Sequence, residues 1–436
     1  MATADPGAFG RLLRRHRLRT GLTQRVLADL STVSIRAIRD LEQGKARRPR
    51  QDTVRLIADG LRLSRQARRD LELAADERRS ALALVAHDVR VAAPPPALRA
   101  TVGREAEVEL LATMLATAGG RLVEVVGIGG VGKTCLAGEV AWRLHGQGMP
   151  VLWTGVSAVP PPGGERLDQL LWAAVAELVE PAGPPADPGP PPVLADLVEL
   201  VGDRDTLLVL DGVDAGGLRP DRVAPLLRGC PGLRMLLTAR CPSRLPGGRT
   251  VVLGPLPAPD PGYPPAPVDG PAVRLFLDAA RRSRPGWLLS AAELPVVAEI
   301  CWLLDGLPVA LEAAASWLAV YDLDLLLTVL RGDPAGMFDH LAATDGDGAV
   351  RERLDSCLRA LPEAERGVLG RLCELDREIS LDDVVALTGR SQLDCGRLVR
   401  RLLMAGVLRS RPDQSRFQVL NLVRDLCRAT AAAVGR

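Results

Sequence analysis

The octet from Gly127 to Thr134 (Gly-Ile-Gly-Gly-Val-Gly-Lys-Thr) constrains this 436-residue chain more than any other feature. It fits G-x-x-x-x-G-K-[ST], in which glycines let backbone N–H groups surround phosphate while the hydroxyl binds Mg²⁺. Lys133 is one of only two lysines, since arginine fills 53 of the 55 basic positions. A compact ammonium fits such a loop and a planar guanidinium does not. The octet therefore predicts a phosphate-binding loop.

The residues around the octet predict a strand, a loop and a helix. A short β-rich run, 121–126, precedes it, and Leu136, Val140 and Leu144 recur after it at helical spacing. Further apolar strand candidates lie at 151–154, 207–210, 235–238 and 250–253. Short apolar strands that alternate with helices indicate a parallel sheet covered on both faces. We therefore expect an α/β P-loop nucleotide-binding domain at 101–256.

Charge is distributed unevenly along the chain. Residues 1–80 hold 19 Arg and Lys against 10 Asp and Glu, a net +9, whereas the remainder holds 36 against 43, a net −7. A basic module on an acidic body predicts a polyanionic partner for that module alone. Pro94-Pro95-Pro96 separates the two parts, and such a segment is typical of an extended spacer.

Cysteine usage and hydropathy exclude other classes. The eight cysteines form no C-x-x-C pair, and there are only four histidines, which argues against a zinc site. Unpaired cysteines fit a reducing compartment. The sequence has neither a signal peptide nor an apolar run of about 18 residues. We expect a cytoplasmic protein that does not bind a membrane.

Residues 21–50 resemble the Cro/repressor-type (XRE-like) helix-turn-helix, and the resemblance extends over a head at 8–75. Thr23 is expected to cap a helix from Gln24, and Ser34 a third helix that ends before Gly44. The resemblance implies that residues 9–75 bind double-stranded DNA with this third helix in the major groove. Arg36 and Arg39 would then read guanine and Ile35 a thymine methyl, with all three side chains pointing outward. Expected DNA contacts are Gln24, Ser34, Ile35, Arg36, Arg39, Arg47 and Arg48. A basic helical bundle that binds protein is the alternative.

Two positions after the octet suggest metal binding and phosphate sensing. Asp211 ends an apolar strand in the pattern of a Mg²⁺-binding acid, so Thr134 and Asp211 are the expected metal ligands. The next residue is Gly212 and the next acid is Asp214, so the usual second acid is missing. Without that general base we expect at most a slow ATPase. Arg240 follows another strand and is placed to sense a γ-phosphate; a solvated strand end is the alternative. Asp211, Asp214 and Arg240 are the catalytic candidates.

Together these segments resemble the NB-ARC group of STAND-type P-loop NTPases, whose motifs occur here in order. They are 101–105 (TVGRE), 127–137 (GIGGVGKTCLA), 207–214 (LLVLDGVD), 236–240 (LLTAR) and 306–312 (GLPVALE). The resemblance implies ATP or ADP with Mg²⁺ as ligands. Nucleotide contacts implied by it are Val102, Gly103, Arg104, Gly127, Gly129, Gly130, Val131, Gly132, Lys133, Thr134, Cys135 and Pro308. It also implies an α-helical domain at 270–345 and a winged-helix domain at 346–436, after a Pro-rich linker at 76–100.

Two departures from the family qualify this expectation. Val419, Leu420 and Asn421 stand where the family has a Met-His-Asp latch for the ADP β-phosphate, and leucine cannot donate a hydrogen bond to phosphate. That latch is therefore absent or replaced, although Asn421 remains able to make a polar contact within the hinge. The repeats that commonly follow the winged helix are also missing before Arg436, which suggests a separate sensor protein or a response to nucleotide alone.

The sequence favours a transcriptional regulator whose nucleotide state controls conformation or self-association. An AAA-type ATPase that remodels DNA is an alternative, although Gly212 argues against it. A defence signalling switch, with the head as a protein adaptor, is another.

Overall fold

The computed structural model describes residues 8–46, 49–65, 67–72, 74–75, 88–96, 101–117, 119–156, 166–179, 192–213, 218–243, 245–260, 269–332, 350–375, 377–411 and 415–434. Its N-terminal part is helical. The labelled helices there are α1 (Ala8–Arg19), α2 (Gln24–Ser31), α3 (Ile35–Glu42) and α4 (Gln51–Gly60), followed by helical turns at 67–72.

The head folds around its own apolar core. Leu13, Leu27, Ile38 and Ile57 have no exposed surface and belong to a cluster confined to the head. The Thr23 hydroxyl accepts from the Val26 N–H and the Ser34 hydroxyl from the Ala37 N–H, which confirms both predicted caps.

One orientation predicted for α3 is wrong. Ile35 does not point outward but is half-buried against the head's core. It precedes Ile38 by three residues and therefore lies on the same side of the helix as that buried residue. Arg36 and Arg39 are exposed, as predicted.

A five-stranded parallel sheet follows, in the order β2-β3-β4-β1-β5. Its strands are β1 (Leu122–Val126), β2 (Val151–Gly155), β3 (Thr206–Val213), β4 (Leu233–Ala239) and β5 (Arg249–Val252). The helices around it are α5 (Glu105–Ala116), α6 (Lys133–Gly146), α7 (Arg166–Val179), α8 (Pro192–Val201) and α9 (Pro220–Gly229). Every residue of β1 is buried. The predicted parallel sheet with helices on both faces is confirmed, because separate buried clusters lie on its two sides.

The segment 88–96 packs on this sheet, which corrects the expectation of an extended spacer. Val89 is buried, the Ala92 carbonyl accepts from the Val151 N–H at 2.9 Å, and the Pro95 carbonyl accepts from Trp142 Nε1 at 2.9 Å. Proline lacks an N–H but keeps its carbonyl, so a proline run can bond to a neighbouring donor.

Two further regions complete the described chain. The helical region, 269–332, contains α10 (Pro271–Ser283), α11 (Leu294–Leu303), α12 (Pro308–Ser316) and α13 (Leu323–Gly332). The C-terminal region, 350–434, contains α14 (Val350–Ala360), α15 (Glu363–Cys373), β6 (Ile379–Ser380), α16 (Leu381–Thr388), α17 (Gln392–Met404), β7 (Leu408–Arg411), β8 (Arg416–Val419) and α18 (Asn421–Val434). Its strands pair antiparallel in the order β6-β8-β7. Both regions share one buried apolar cluster with a face of the parallel sheet. No helix within the described ranges is long and apolar enough to cross a membrane.

Candidate nucleotide-binding site and DNA-facing head

The octet connects the end of β1 to the start of α6. Gly130 and Gly132 have φ angles of 81° and 98°, in the left-handed region that glycine tolerates best. Helix α6 starts at Lys133, so its first N–H groups and the positive end of its dipole are directed towards the loop. This is the local geometry of an anion-binding loop, as the sequence predicts.

Lys133 is folded over its own loop. Its Nζ donates to the carbonyls of Gly127 at 2.8 Å and Ile128 at 3.0 Å. Burial lowers the pKa of the Lys133 ammonium, as do Arg240 and Arg353, whereas Cys357 and Asp211 oppose the shift. A phosphate in the loop would supply the negative charge that this concentration of cations favours.

Thr134 and Asp211 lie together at the predicted metal position. The Thr134 hydroxyl donates to Asp211 Oδ1 at 3.0 Å, and Thr238 on β4 donates to the same oxygen at 2.5 Å. Thr238 in turn accepts from the Gly212 N–H at 2.8 Å. A hydroxyl and one carboxylate fit Mg²⁺, which keeps several waters and binds substrate phosphates. The described residues contain no cluster of three or more His, Cys, Asp or Glu that would hold a metal by itself.

The sequence motifs did not identify Thr238 as a site residue, although it lies within the LLTAR motif. It orients Asp211 and ties β3 to β4 at the site. Asp214, the other acid considered there, lies outside the described residues.

Arg104 holds the segment 101–104 against the loop. Its guanidinium donates to the carbonyls of Val131 at 3.3 Å and Gly254 at 2.7 Å, and pairs with Glu107 at 3.0 Å. The side chain is buried and bonded to protein, so it positions the loop. Val102 and Gly103 precede it as half-buried residues, and Cys135 is exposed one residue beyond Thr134. Nucleotide contact by these residues stays a prediction.

The Gly-Leu-Pro turn packs on the loop from the helical region. Pro308 is the first residue of α12, and the next residue, Val309, donates its N–H to the Gly130 carbonyl at 3.3 Å. The approach is so close that a Cβ added at Gly130 would lie 2.1 Å from Val309 Cγ1. Pro308 is therefore near the octet, and its contact with a nucleotide stays a prediction.

The C-terminal region also contacts the loop, through α14. The Gly129 N–H donates to Cys357 Sγ at 3.1 Å, and Arg240 donates to the Ser356 hydroxyl. Arg240 is therefore not a solvated strand end. The loop that follows it is anchored by Glu124, a buried carboxylate on β1 that accepts from the Ser243 N–H at 2.8 Å; burial raises the pKa of Glu124. Sequence reasoning identified neither α14 nor Glu124 as part of the site.

The three latch positions contact other parts of the body. Val419 and Leu420 are buried in the shared apolar cluster, and Asn421 Nδ2 donates to the Trp302 carbonyl at 2.9 Å. The predicted polar contact of Asn421 is thus with α11. Beside it, Asp305 Oδ2 accepts from the Leu422 N–H at 2.9 Å. Burial raises the pKa of Asp305 to about 6, against the opposing effects of Arg409 and of the α18 backbone donors.

In the head, the exposed arginines of α3 lie free of the core. The Arg36 side chain is 93% exposed, with Asp40 one turn away at 3.8 Å. Gln24, one of the expected DNA contacts, donates to Glu42 at 2.8 Å, and its contact with DNA stays a prediction. Glu42 is buried and also accepts from Arg17 at 2.5 and 2.9 Å. Arg47 and Arg48 lie outside the described residues.

Comparison with known proteins supports the assignment of the head. The sequence model of a family described as "Helix-turn-helix domain" matches residues 8–71. A protein of Mycobacterium tuberculosis (strain H37Rv) named "Putative HTH-type transcriptional regulator" is 30% identical over 285 residues, which are 63% of this chain and 29% of that protein. A second protein of that organism, named only as uncharacterized, is 31% identical over 223 residues, or 50% of this chain and 51% of the relative. The chain thus spans less than a third of the first relative.

Solved structures superpose loosely. A STAND protein with a tetratricopeptide repeat sensor from Pyrococcus horikoshii has a TM-score of 0.32 and 16% identity, over 77% of this chain and 43% of that one. The Aeropyrum pernix ORC2 protein, solved in ADPNP–ADP complexes, has a TM-score of 0.39 and 17% identity, over 79% and 97%. The chain joins an N-terminal region that matches the helix-turn-helix model to a parallel-sheet domain with a glycine-rich, lysine-containing loop between β1 and α6.

Proposed function

We propose that this chain is a DNA-binding transcriptional regulator whose body responds to ATP or ADP. One observation carries the proposal: the loop around Lys133 is contacted at once by the helical region, through Val309, and by the C-terminal region, through Cys357. A ligand that enters such a loop alters the packing of both regions. The basic head with exposed Arg36 supplies the output on DNA.

The proposed domains are the head at 8–75, the P-loop domain at 101–256, a helical domain at 270–345 and a winged helix at 346–436. The segment 76–100 connects the first two, and its part 88–96 packs on the parallel sheet. The last assignment is supported by the element order α15-β6-α16-α17-β7-β8, in which β7 and β8 pair as a hairpin that would be the wing.

The residues of the loop have distinct roles in this proposal. Backbone N–H groups of 130–134 would hold the α- and β-phosphates, and Lys133 would leave its carbonyl partners for the terminal phosphates. Thr134 and Asp211 would hold Mg²⁺, which neutralises phosphate charge. Asp211 is followed by Gly212 rather than by a second acid, so the usual general base is missing at that position and hydrolysis is slow at most.

The test compares nucleotide retention by two lysine variants of the full chain. Lys133→Ala should lose nucleotide binding, measured by titration with a fluorescent ATP analogue and by chromatography of nucleotide released on denaturation. Lys45→Ala makes the same chemical change at the only other lysine, in the head, and should bind nucleotide like the wild type. Tight ATP binding by Lys133→Ala would refute the assignment of the loop, whereas rapid sustained turnover by the wild type would favour a remodelling ATPase.

A further inference from the structure

Two hydrogen-bond donors suited to phosphate are bonded to one helix of the C-terminal region. They are the Gly129 N–H, bonded to Cys357 Sγ at 3.1 Å, and the Arg240 guanidinium, bonded to the Ser356 hydroxyl. Gly129 is the third residue of the octet, before the N–H groups at the start of α6. Arg240 directly follows β4, the strand next to β1. Both donors therefore lie outside the stretch 130–134, whose N–H groups would hold the first two phosphates.

Helix α14 presents one face to these donors. Arg353, Ser356 and Cys357 are spaced i, i+3 and i+4, so they lie on one side of the helix. The approach is close, because a Cβ added at Gly129 would meet the Arg353 carbonyl at 3.0 Å. A phosphoryl group is larger than a methyl group and cannot occupy this side of Gly129 unless α14 moves.

Phosphate also competes better than α14 for the donors. A thiol is a weak acceptor and a serine hydroxyl a neutral one, whereas an anionic phosphate oxygen makes hydrogen bonds roughly twice as strong. One ligand group that reaches both donors would displace both contacts of the helix. A nucleotide that ends nearer α6 would leave them intact.

We propose that Ser356 and Cys357 make the site discriminate between nucleoside triphosphate and diphosphate: the terminal phosphate of a triphosphate takes Arg240 and Gly129 from them and releases α14. This inference rests on the proposed nucleotide binding. It gives the C-terminal region a contact with the phosphate site that does not depend on the latch positions 419–421, which face α11 and the apolar cluster.

The Cys357 thiol reports directly on the release. It is buried with α14 docked, and movement of the helix would expose it. The full chain is labelled with iodoacetamide in three states: without nucleotide, with Mg·ADP, and with Mg²⁺ and a non-hydrolysable ATP analogue. Labelling is followed peptide by peptide by mass spectrometry. Cys230, buried on the other face of the sheet, is the internal reference.

We expect the Cys357 labelling rate with the analogue to be about tenfold higher than with Mg·ADP, because the free energy of one charge-assisted hydrogen bond corresponds to roughly that factor. The labelling rate of Cys230 should not change. Equal rates in samples where fluorescence titration shows the analogue bound would overturn the inference, as would a parallel rise at Cys230. Failure of the analogue to bind at all would instead count against the proposed function. Lys133→Ala should abolish the nucleotide dependence.

A variant separates discrimination from general damage. Ser356→Ala removes the acceptor of Arg240, so the triphosphate no longer has to break that bond. The ratio of the Kd for the ATP analogue to that for ADP should fall about tenfold, and Ser356→Thr should restore it. Ser316→Ala, the same change at the exposed C-terminal end of α12, is the matched control, since its hydroxyl bonds within its own helix. Equal shifts for both nucleotides, or the same shift in Ser316→Ala, would refute the assignment.

Discussion

The head and the body of this molecule are held together in different ways. The head has a buried cluster of its own, whereas one continuous cluster in the body runs from Val108 on α5 to Leu426 on α18. The P-loop side of the sheet, the helical region and the C-terminal region all contribute to that cluster. Damage to the head should therefore stay local, while a change at the phosphate loop should affect three regions of the body at once.

Two kinds of contact allow each part to be tested separately. In the head, Arg17 and Glu42 form a buried ion pair, whereas in the body Gly130 lies against the Val309 side chain and Gly406 against the Ile128 backbone. An ion pair is sensitive to the loss of one charge, and a glycine contact is sensitive to added volume. Charge removal in the head and methyl addition in the body therefore test the two parts separately.

The largest effect is expected from Glu42→Ala. It leaves the Arg17 guanidinium buried without its carboxylate and removes the acceptor of Gln24. Breaking one side of a buried pair typically costs about 3–5 kcal/mol. We expect calorimetry of the full chain to show the head's unfolding transition at lower temperature and the body's unmoved.

Asp40→Ala is the matched control for this comparison. It removes a carboxylate from the same helix, but one whose arginine partner is 93% exposed, so the change should be within about 0.5 kcal/mol. If Glu42→Ala lowered the body's transition as well, the two parts would not be independent.

The next effect concerns pH and the joint at Asp305. Burial raises the pKa of Asp305 from 3.8 to about 6, so between these values the folded body binds a proton that the unfolded chain does not. The body should lose stability as pH rises through this window and be unaffected by this group above it. The full change is about 2–3 kcal/mol.

The measurement compares melting midpoints of the body from pH 4.5 to 7.5 in wild type and Asp305→Asn. The asparagine keeps an acceptor for the Leu422 N–H. The melting midpoint of the variant should therefore rise relative to that of the wild type as pH rises. Asp322→Asn is the matched control, because Asp322 is an exposed carboxylate that likewise accepts from a backbone N–H at a helix start, that of Leu325. A wild-type profile parallel to that of Asp305→Asn would refute the role assigned to Asp305.

The sequence predicted those features that short stretches of chain determine. Thr23 and Ser34 each bond to the backbone three residues away, and the octet binds its own lysine through carbonyls five and six residues back. The parallel strands follow from apolar runs alone. Each of these patterns lies within a short stretch of the sequence, so one sequence suffices to identify them.

The missed contacts join distant parts of the chain. Cys357 reaches Gly129 across 228 residues, Ser243 reaches Glu124 across 119, and Leu422 reaches Asp305 across 117. The sequence marks one end of some of these contacts, such as Gly129 in the octet, but no local pattern identifies the distant partner. Ile35 shows the same limit on a smaller scale, because its half-burial depends on how α3 lies against the rest of the head.

The close contact at Gly406 tests whether the body behaves as one unit. A Cβ at Gly406 would lie 2.7 Å from the Ile128 nitrogen, so Gly406→Ala pushes the C-terminal region away from the loop. Overpacking of this kind costs about 1–3 kcal/mol. We expect faster amide hydrogen exchange in 127–131 and in α14, with the head unchanged.

Gly389→Ala supplies the control, because Gly389 has nearly the same φ, 66° against 73°, but nothing within 4 Å of an added Cβ. Both variants carry the strain of a left-handed residue, so their difference isolates the contact with the loop. Equal exchange in the two variants would mean that Gly406 does not hold the C-terminal region on the loop.

The smallest and most local effect is expected from Arg36→Ala on DNA binding. The Arg36 side chain is almost fully exposed and its pairing with Asp40 at 3.8 Å is weak, so the folded head should be unaffected by the change. If Arg36 reads a guanine in the major groove, its loss should weaken binding to a selected site by about 1–3 kcal/mol. Binding to random DNA should stay the same, because that affinity comes from phosphate contacts.

Salt titration distinguishes the two roles open to Arg36. A base reader leaves the slope of log K against log salt unchanged, whereas a phosphate contact lowers it by about one. An equal loss on selected and random DNA, with a reduced slope, would assign Arg36 to the DNA backbone. Because the role proposed for Arg36 concerns DNA alone, nucleotide binding by Arg36→Ala should equal that of the wild type. Any deficit would show that head and body are coupled more tightly than their separate cores imply.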